Sequence, residues 1–112
     1  ENTLSDIVML IHGIIGEWIR DGRIEPGVQE EIRLPREKFR EILESCKERY
    51  GKGFIKTYRD MTTGEFCGEV QAYMTELGLI EQDRQDVRIS TAAGKIAGRY
   101  PKDFLENGGR DE

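Results

Sequence analysis

The sequence predicts a mainly helical α+β domain, a winged helix-turn-helix with a short two- to three-stranded sheet, and three observations carry that expectation. Apolar residues recur at near-heptad spacing between Leu4 and Ile19, which marks a long amphipathic helix. Thr62 stands three residues before Glu65, the capping-box pattern that opens a helix. Leu79-Ile80-Glu81 and Val87-Arg88-Ile89 are two short strand-like runs joined across Gln82 to Asp86, the pattern of a hairpin wing. In chain order the elements read helix, strand, helix, helix, strand, wing, strand, helix.

The first helix is expected from Leu4 to Arg20, capped by Thr3 or Ser5 and stopped by Asp21-Gly22. Its stripe of Leu4, Ile7, Val8, Ile11, Ile14, Ile15, Trp18 and Ile19 has two readings: ordinary core packing, or a seam between two copies through Leu4, Ile7, Ile11, Ile14 and Trp18. Glu25-Pro26-Gly27 signals a turn, and Glu30 to Leu34 alternates charged and apolar residues like a half-buried strand. Pro35 suits the first position of a second helix, which runs to Tyr50 with Phe39, Ile42, Leu43, Cys46 and Tyr50 on one face and Gly51 as its stop.

Gly51 to Met61 interleaves glycine, aromatic and basic residues. The next helix, Thr63 to Leu77, buries Phe66, Val70, Tyr73, Met74 and Leu77 and closes at Gly78, where a left-handed residue is wanted. A last short helix, Ala92 to Tyr100, is ended by Pro101. The 112 residues are thus read as one domain over residues 1–104 with a loose tail at 105–112.

Composition narrows the function classes. With 37% hydrophobic and 35% charged residues the chain has enough periodic apolar content to fold. Its net charge of −5 argues against general affinity for nucleic acid or anionic membranes, although a local basic patch is compatible with it. No apolar run approaches the roughly 20 residues that cross a bilayer, and a reducing cytoplasm is the default reading. The two cysteines, Cys46 and Cys67, fall on apolar helix faces and are read as core. The single histidine, His12, has no sequence context that marks it as a base, and no zinc spacing, P-loop or paired carboxylates stand out. The expectation is a chain that is not an enzyme and takes no cofactor or metal.

The helix in the position that would read DNA is the most telling feature. From Thr63 to Leu77 it carries Glu65, Glu69 and Glu76 and no Lys or Arg, so it would bring carboxylates against a polyanion. A protein surface is the better partner for Glu65, Glu69, Gln71 and Glu76. Contact with DNA, where it occurs, falls to Lys52, Lys56, Arg59, Arg84, Arg88, Lys95 and Arg99, with Lys102, residues spaced for phosphates rather than bases and able to form a basic strip around the acidic helix. Phe54, Tyr58 and Tyr100 are candidates to stack on bases, with a core role the more expected.

The stretch Gly51-Lys52-Gly53-Phe54-Ile55-Lys56-Thr57-Tyr58-Arg59-Asp60-Met61, then Leu77-Gly78-Leu79-Ile80, then Ala92 to Pro101, resembles the C-terminal winged-helix region of subunits from bacterial condensin-like systems of the Wadjet type, which defend against plasmids. The resemblance covers about half the chain, from Gly51 to Phe104, with a shorter N-terminal part than the full subunits have. It implies a non-catalytic accessory subunit that binds a kleisin or sister subunit and helps a motor complex engage DNA. The other expectation compatible with the residues is a dimeric winged-helix transcription regulator that reads DNA with Thr63, Gln71 and the wing.

Overall fold

The computed structural model describes residues 2–25 and 31–90. The expected last helix, the tail, and Lys95, Arg99 and Lys102 lie outside them, as does most of the Glu25-Pro26-Gly27 turn.

Helix α1, Leu4–Arg20, starts where a capping box closes: Thr3 Oγ1 accepts from the Asp6 amide and Asp6 Oδ2 accepts from the Thr3 amide. It ends at Asp21, and Gly22 takes φ +78°, the left-handed conformation that glycine adopts without penalty. Ile7, Ile11 and Ile15 are fully buried, and Ile14, Trp18 and Ile19 nearly so. The Arg23 guanidinium lies 3.6 Å from the centre of the Trp18 ring and covers it.

Strand β1, Glu31–Pro35, runs directly into helix α2, Arg36–Tyr50. Both boundaries differ by one residue from the sequence expectation. Pro35 pairs with Asp86 and has ψ 151°, so it is the last strand residue and the helix N-cap rather than the first helical residue. Gly51 closes α2 in right-handed geometry, and the chain turns on through a 3-10 turn, Gly51–Gly53, into a four-residue helix α3, Lys56–Arg59. Helix α4, Thr63–Glu76, opens with the expected capping box between Thr62 and Glu65 and is followed by Gly78 at φ +76°.

Strands β2, Ile80–Gln82, and β3, Asp86–Ser90, complete a three-stranded antiparallel sheet of order β1-β3-β2. The register sets Ile32 and Ile80 on either side of Ile89, and Leu34 beside Val87. All five side chains are buried, so the sheet turns one apolar face onto the helices. The observed class is therefore mostly helical with a small antiparallel sheet, the α+β class expected.

One core joins the layers. Phe39, Ile42, Leu43 and Cys46 from α2 meet Phe66, Val70 and Met74 from α4 and the isoleucines of α1. One core expectation is corrected. Leu77 is 54% exposed, because it is the C-cap residue where α4 has already ended. Ile7, Ile11, Ile14 and Trp18 are 0–5% exposed and Leu4 packs against the same core, which is what the core-packing reading of the α1 stripe expects. On the surface, Arg49 holds Glu17 through two hydrogen bonds of 2.8 and 3.1 Å, tying the C-terminal turns of α1 and α2 together.

Candidate functional site

Two surfaces emerge from this framework, an acidic helix face and a basic cleft at one end of the same helix. In α4 the residues at 66, 67, 70 and 74 are buried, which leaves the opposite side to solvent. Glu65, Glu69 and Glu76 are exposed there and fall within about 40° of one another at 100° per residue. Gly68 and Ala72 flank the stripe on one side, so that border is low. Gln71 is half-buried and lies off this stripe. Glu65 also serves the helix as its capping-box carboxylate. Glu76 does the reverse: it stands in the last turn, at the negative end of the helix dipole, with no basic residue beside it in that turn. Helix stability does not account for that carboxylate.

The basic cleft lies between α2 and the chain from Gly51 to Thr63 and has a volume of about 710 Å³. Arg40, Lys47, Lys52 and Arg59 line it together with Glu44 and Glu48, four cations against two carboxylates on a chain that is acidic overall. Several contacts fix its shape. Asn2 clamps the connection, donating to Gly53 O at 2.7 Å and accepting from the Ile55 amide at 3.0 Å. Phe54 is buried and stacks on Phe66 with ring centres 5.4 Å apart. Lys47 donates to the carbonyls of Tyr58 and Arg59 at the end of α3. Arg40 pairs with Glu44 at 3.1 Å, and its Nη2 would stand 3.9 Å from a Cβ placed on Gly64, so the guanidinium hangs over the first turn of α4. Thr63 completes that wall.

The structure therefore brings together two of the expected phosphate-contacting residues, Lys52 and Arg59, and adds Arg40 and Lys47, which the sequence had not singled out. The signal for Arg40 was its place on the solvated face of α2, one turn before Glu44, indistinguishable from any surface ion pair until the fold set it against α4. Lys56, at the start of α3, does not line the cleft and is paired with Asp60.

The hairpin is placed elsewhere. Arg36 donates its amide to Gln85 O and its guanidinium to Asp83 O, which fixes the β2–β3 turn at the N-terminal end of α2. The cleft connection leaves from the other end, about 22 Å away along the helix axis. The hairpin cation Arg88 is engaged by three carboxylates: Glu81 at 2.9 Å, Asp83 at 3.1 Å and Glu31 at 3.7 Å. Only Arg84, at the exposed turn, is held by no ion pair among the described residues of the hairpin.

Asp83 organises that turn. Its Oδ1 accepts from the Gln85 and Asp86 amides at 2.9 and 2.8 Å, and its Oδ2 from Arg88, so the two amides first and Arg88 second hold its carboxyl below the usual aspartate value. A group with a depressed folded-state pKa contributes stability above its ordinary value and loses it as pH falls through the folded one. Asp83→Asn is therefore expected to be destabilised relative to wild type at neutral pH, with the gap closing below about pH 4; chemical denaturation at a series of pH values checks it, and a gap independent of pH would contradict it.

Cys46 and Cys67 are both free and buried, and burial pushes the Cys46 thiol up to about 12, away from thiolate chemistry. His12 is 1% exposed within α1. Among the described residues there is no cluster of three or more His, Cys, Asp or Glu able to hold a metal, and no helix long and apolar enough to cross a membrane.

Residues 1–99 match the family described as protein of unknown function (DUF2398). The chain belongs to that family. The match runs through α1, the sheet and α4, so both the acidic stripe and the basic cleft lie within the family's span. No curated protein and no solved structure matches the chain.

Proposed function

We propose that the chain is a non-catalytic winged-helix interaction module, an accessory subunit of a DNA-handling complex that docks a protein partner on the exposed face of α4 and touches DNA only non-specifically. The observation that carries this reading is α4 itself. Among the helices of such an arrangement it occupies the reading position, yet it exposes Glu65, Glu69 and Glu76 along one stripe and has no Lys or Arg from Thr63 to Glu76. Phosphates approaching that stripe meet like charge, whereas a basic protein surface meets complementary charge on a face kept low by Gly68 and Ala72. Glu76, set against the helix dipole, is a local cost that a partner's cation would offset. The three carboxylates around Arg88 weaken the case for a DNA-reading wing. The likeness to subunits of condensin-like, Wadjet-type systems points to a kleisin or sister subunit as the partner.

Mixing the purified chain with the kleisin and sister subunits of such a complex, followed by size-exclusion chromatography with mass detection, tests this. Wild type is expected to co-elute. Glu69→Lys/Glu76→Lys, which leaves the capping box intact, is expected to lose the partner by at least about tenfold in affinity, as for two charge reversals inside an interface. Co-elution unaffected by the reversal, or no complex with either subunit, overturns the reading.

A further inference from the structure

We propose that the cleft between α2 and the Gly51–Thr63 connection is a phosphate-binding site and that the phosphates it takes are those of a nucleic-acid backbone. This rests on the DNA-contact part of the function proposed above and is independent of its protein-docking part. Four cationic side chains, Arg40, Lys47, Lys52 and Arg59, converge on one cleft of about 710 Å³, offset by Glu44 and Glu48, of which Glu44 is already paired with Arg40. Lys52 is exposed and makes no ion pair among the described residues, so its charge is available to a ligand. The walls are not loose surface: Asn2 pins the connection on both sides of Phe54, and the Phe54–Phe66 stack anchors it to the core. A preorganised set of donors loses less entropy on binding than scattered lysines do.

The chemistry of the lining selects the ligand. Among the described residues no aromatic or aliphatic residue lines the cleft, so the base of a free nucleotide would find nothing there to stack on. A backbone presents its phosphates with the bases turned away, which is what a lining of guanidinium, ammonium and hydroxyl groups can hold. The volume exceeds what one phosphate fills and suits a short run of them. The first turn of α4 borders the same cleft: Thr63 lines it, and the Arg40 guanidinium stands over Gly64.

The test is fluorescence anisotropy of the full chain against a labelled mixed-sequence duplex across a salt series, with inorganic phosphate as the second probe. Wild type is expected to bind at low salt. Arg40→Gln/Lys52→Gln is expected to bind about tenfold more weakly, with the salt slope reduced by about two, because two phosphate contacts are lost. Both side chains are exposed, so its thermal unfolding should match wild type. Gly64→Ala separates binding from folding in the other direction. Alanine favours the helix, and its methyl fits at 3.9 Å from Arg40 while filling the cradle, so duplex binding should fall without loss of thermal stability.

Equal duplex binding by wild type and Arg40→Gln/Lys52→Gln overturns the site, as does the lack of any response to either probe. Absence of duplex binding together with amide shifts around the cleft on adding inorganic phosphate, lost in the double variant, overturns the backbone as the source and upholds the phosphate site. None of these arms contains a partner subunit, so their outcome is separate from that of the subunit-mixing experiment.

Discussion

Phe66→Ala is expected to lose about 3–5 kcal/mol of folding stability, the largest effect of any substitution proposed for this chain. Phe66 is fully buried in the first half of α4, its ring stacked on Phe54 at 5.4 Å with 14° between the planes, and the Lys47 ammonium sits 5.5 Å from the ring centre. Removing the ring takes away transfer free energy and leaves a cavity facing Phe54. The loss should therefore fall at the upper end of large-to-small substitutions unless the connection collapses inward. Domains of this size have about 5–15 kcal/mol in total, so the variant would sit near its threshold. Urea denaturation followed by far-UV circular dichroism measures it, with Phe66→Leu as the milder comparison. A loss below about 1 kcal/mol would mean that the stacked pair does not anchor the connection. The result bears on function as well as stability, since Phe54 is the residue through which the basic cleft is fixed to the core.

The elements legible in the sequence were those specified by local chemistry. Thr3, Thr62 with Glu65, Gly22 and Gly78 each mark a helix end by a side chain or a left-handed backbone, and the structure uses each of them there. Period alone found the buried faces of α1, α2 and α4, and it failed at Leu77, where the apolar stripe continues one residue past the end of the helix. Pro35 was displaced by one residue for a related reason. Its missing N–H suits either the first helical position or a strand end, and only the pairing with Asp86 decides between them.

The candidate site was less legible, because it is made by tertiary proximity. Lys52 and Arg59 stood out as part of a basic stretch, but Arg40 and Lys47 lie on a helix where both charges alternate, and nothing local sets them apart. In the hairpin, Arg88 reads as a free cation in sequence. The fold surrounds it with Glu31, Glu81 and Asp83, drawn from three segments up to 52 positions apart in the numbering.

Ile11→Ala is expected to cost about 2–4 kcal/mol and to do so without making stability depend on protein concentration. The α1 stripe is rich enough in isoleucine to serve two purposes on sequence grounds. A seam between copies and a core face make opposite predictions about mass action, because an interface contributes more as the chain is concentrated, whereas a core contributes the same at every dilution. The burial of Ile7, Ile11 and Ile14 at 0–1% favours the second. Each side chain belongs to the core that α1 shares with α2 and α4, and a second copy would have to displace that packing to reach it. Unfolding midpoints for wild type and Ile11→Ala at protein concentrations differing a hundredfold decide the matter. Midpoints that stay fixed for both proteins, with Ile11→Ala lower throughout, assign the stripe to the core. Midpoints that rise with concentration for wild type and flatten for Ile11→Ala would return it to an interface, and the exposed stripe of α4 would then no longer be the main surface on which a partner can sit.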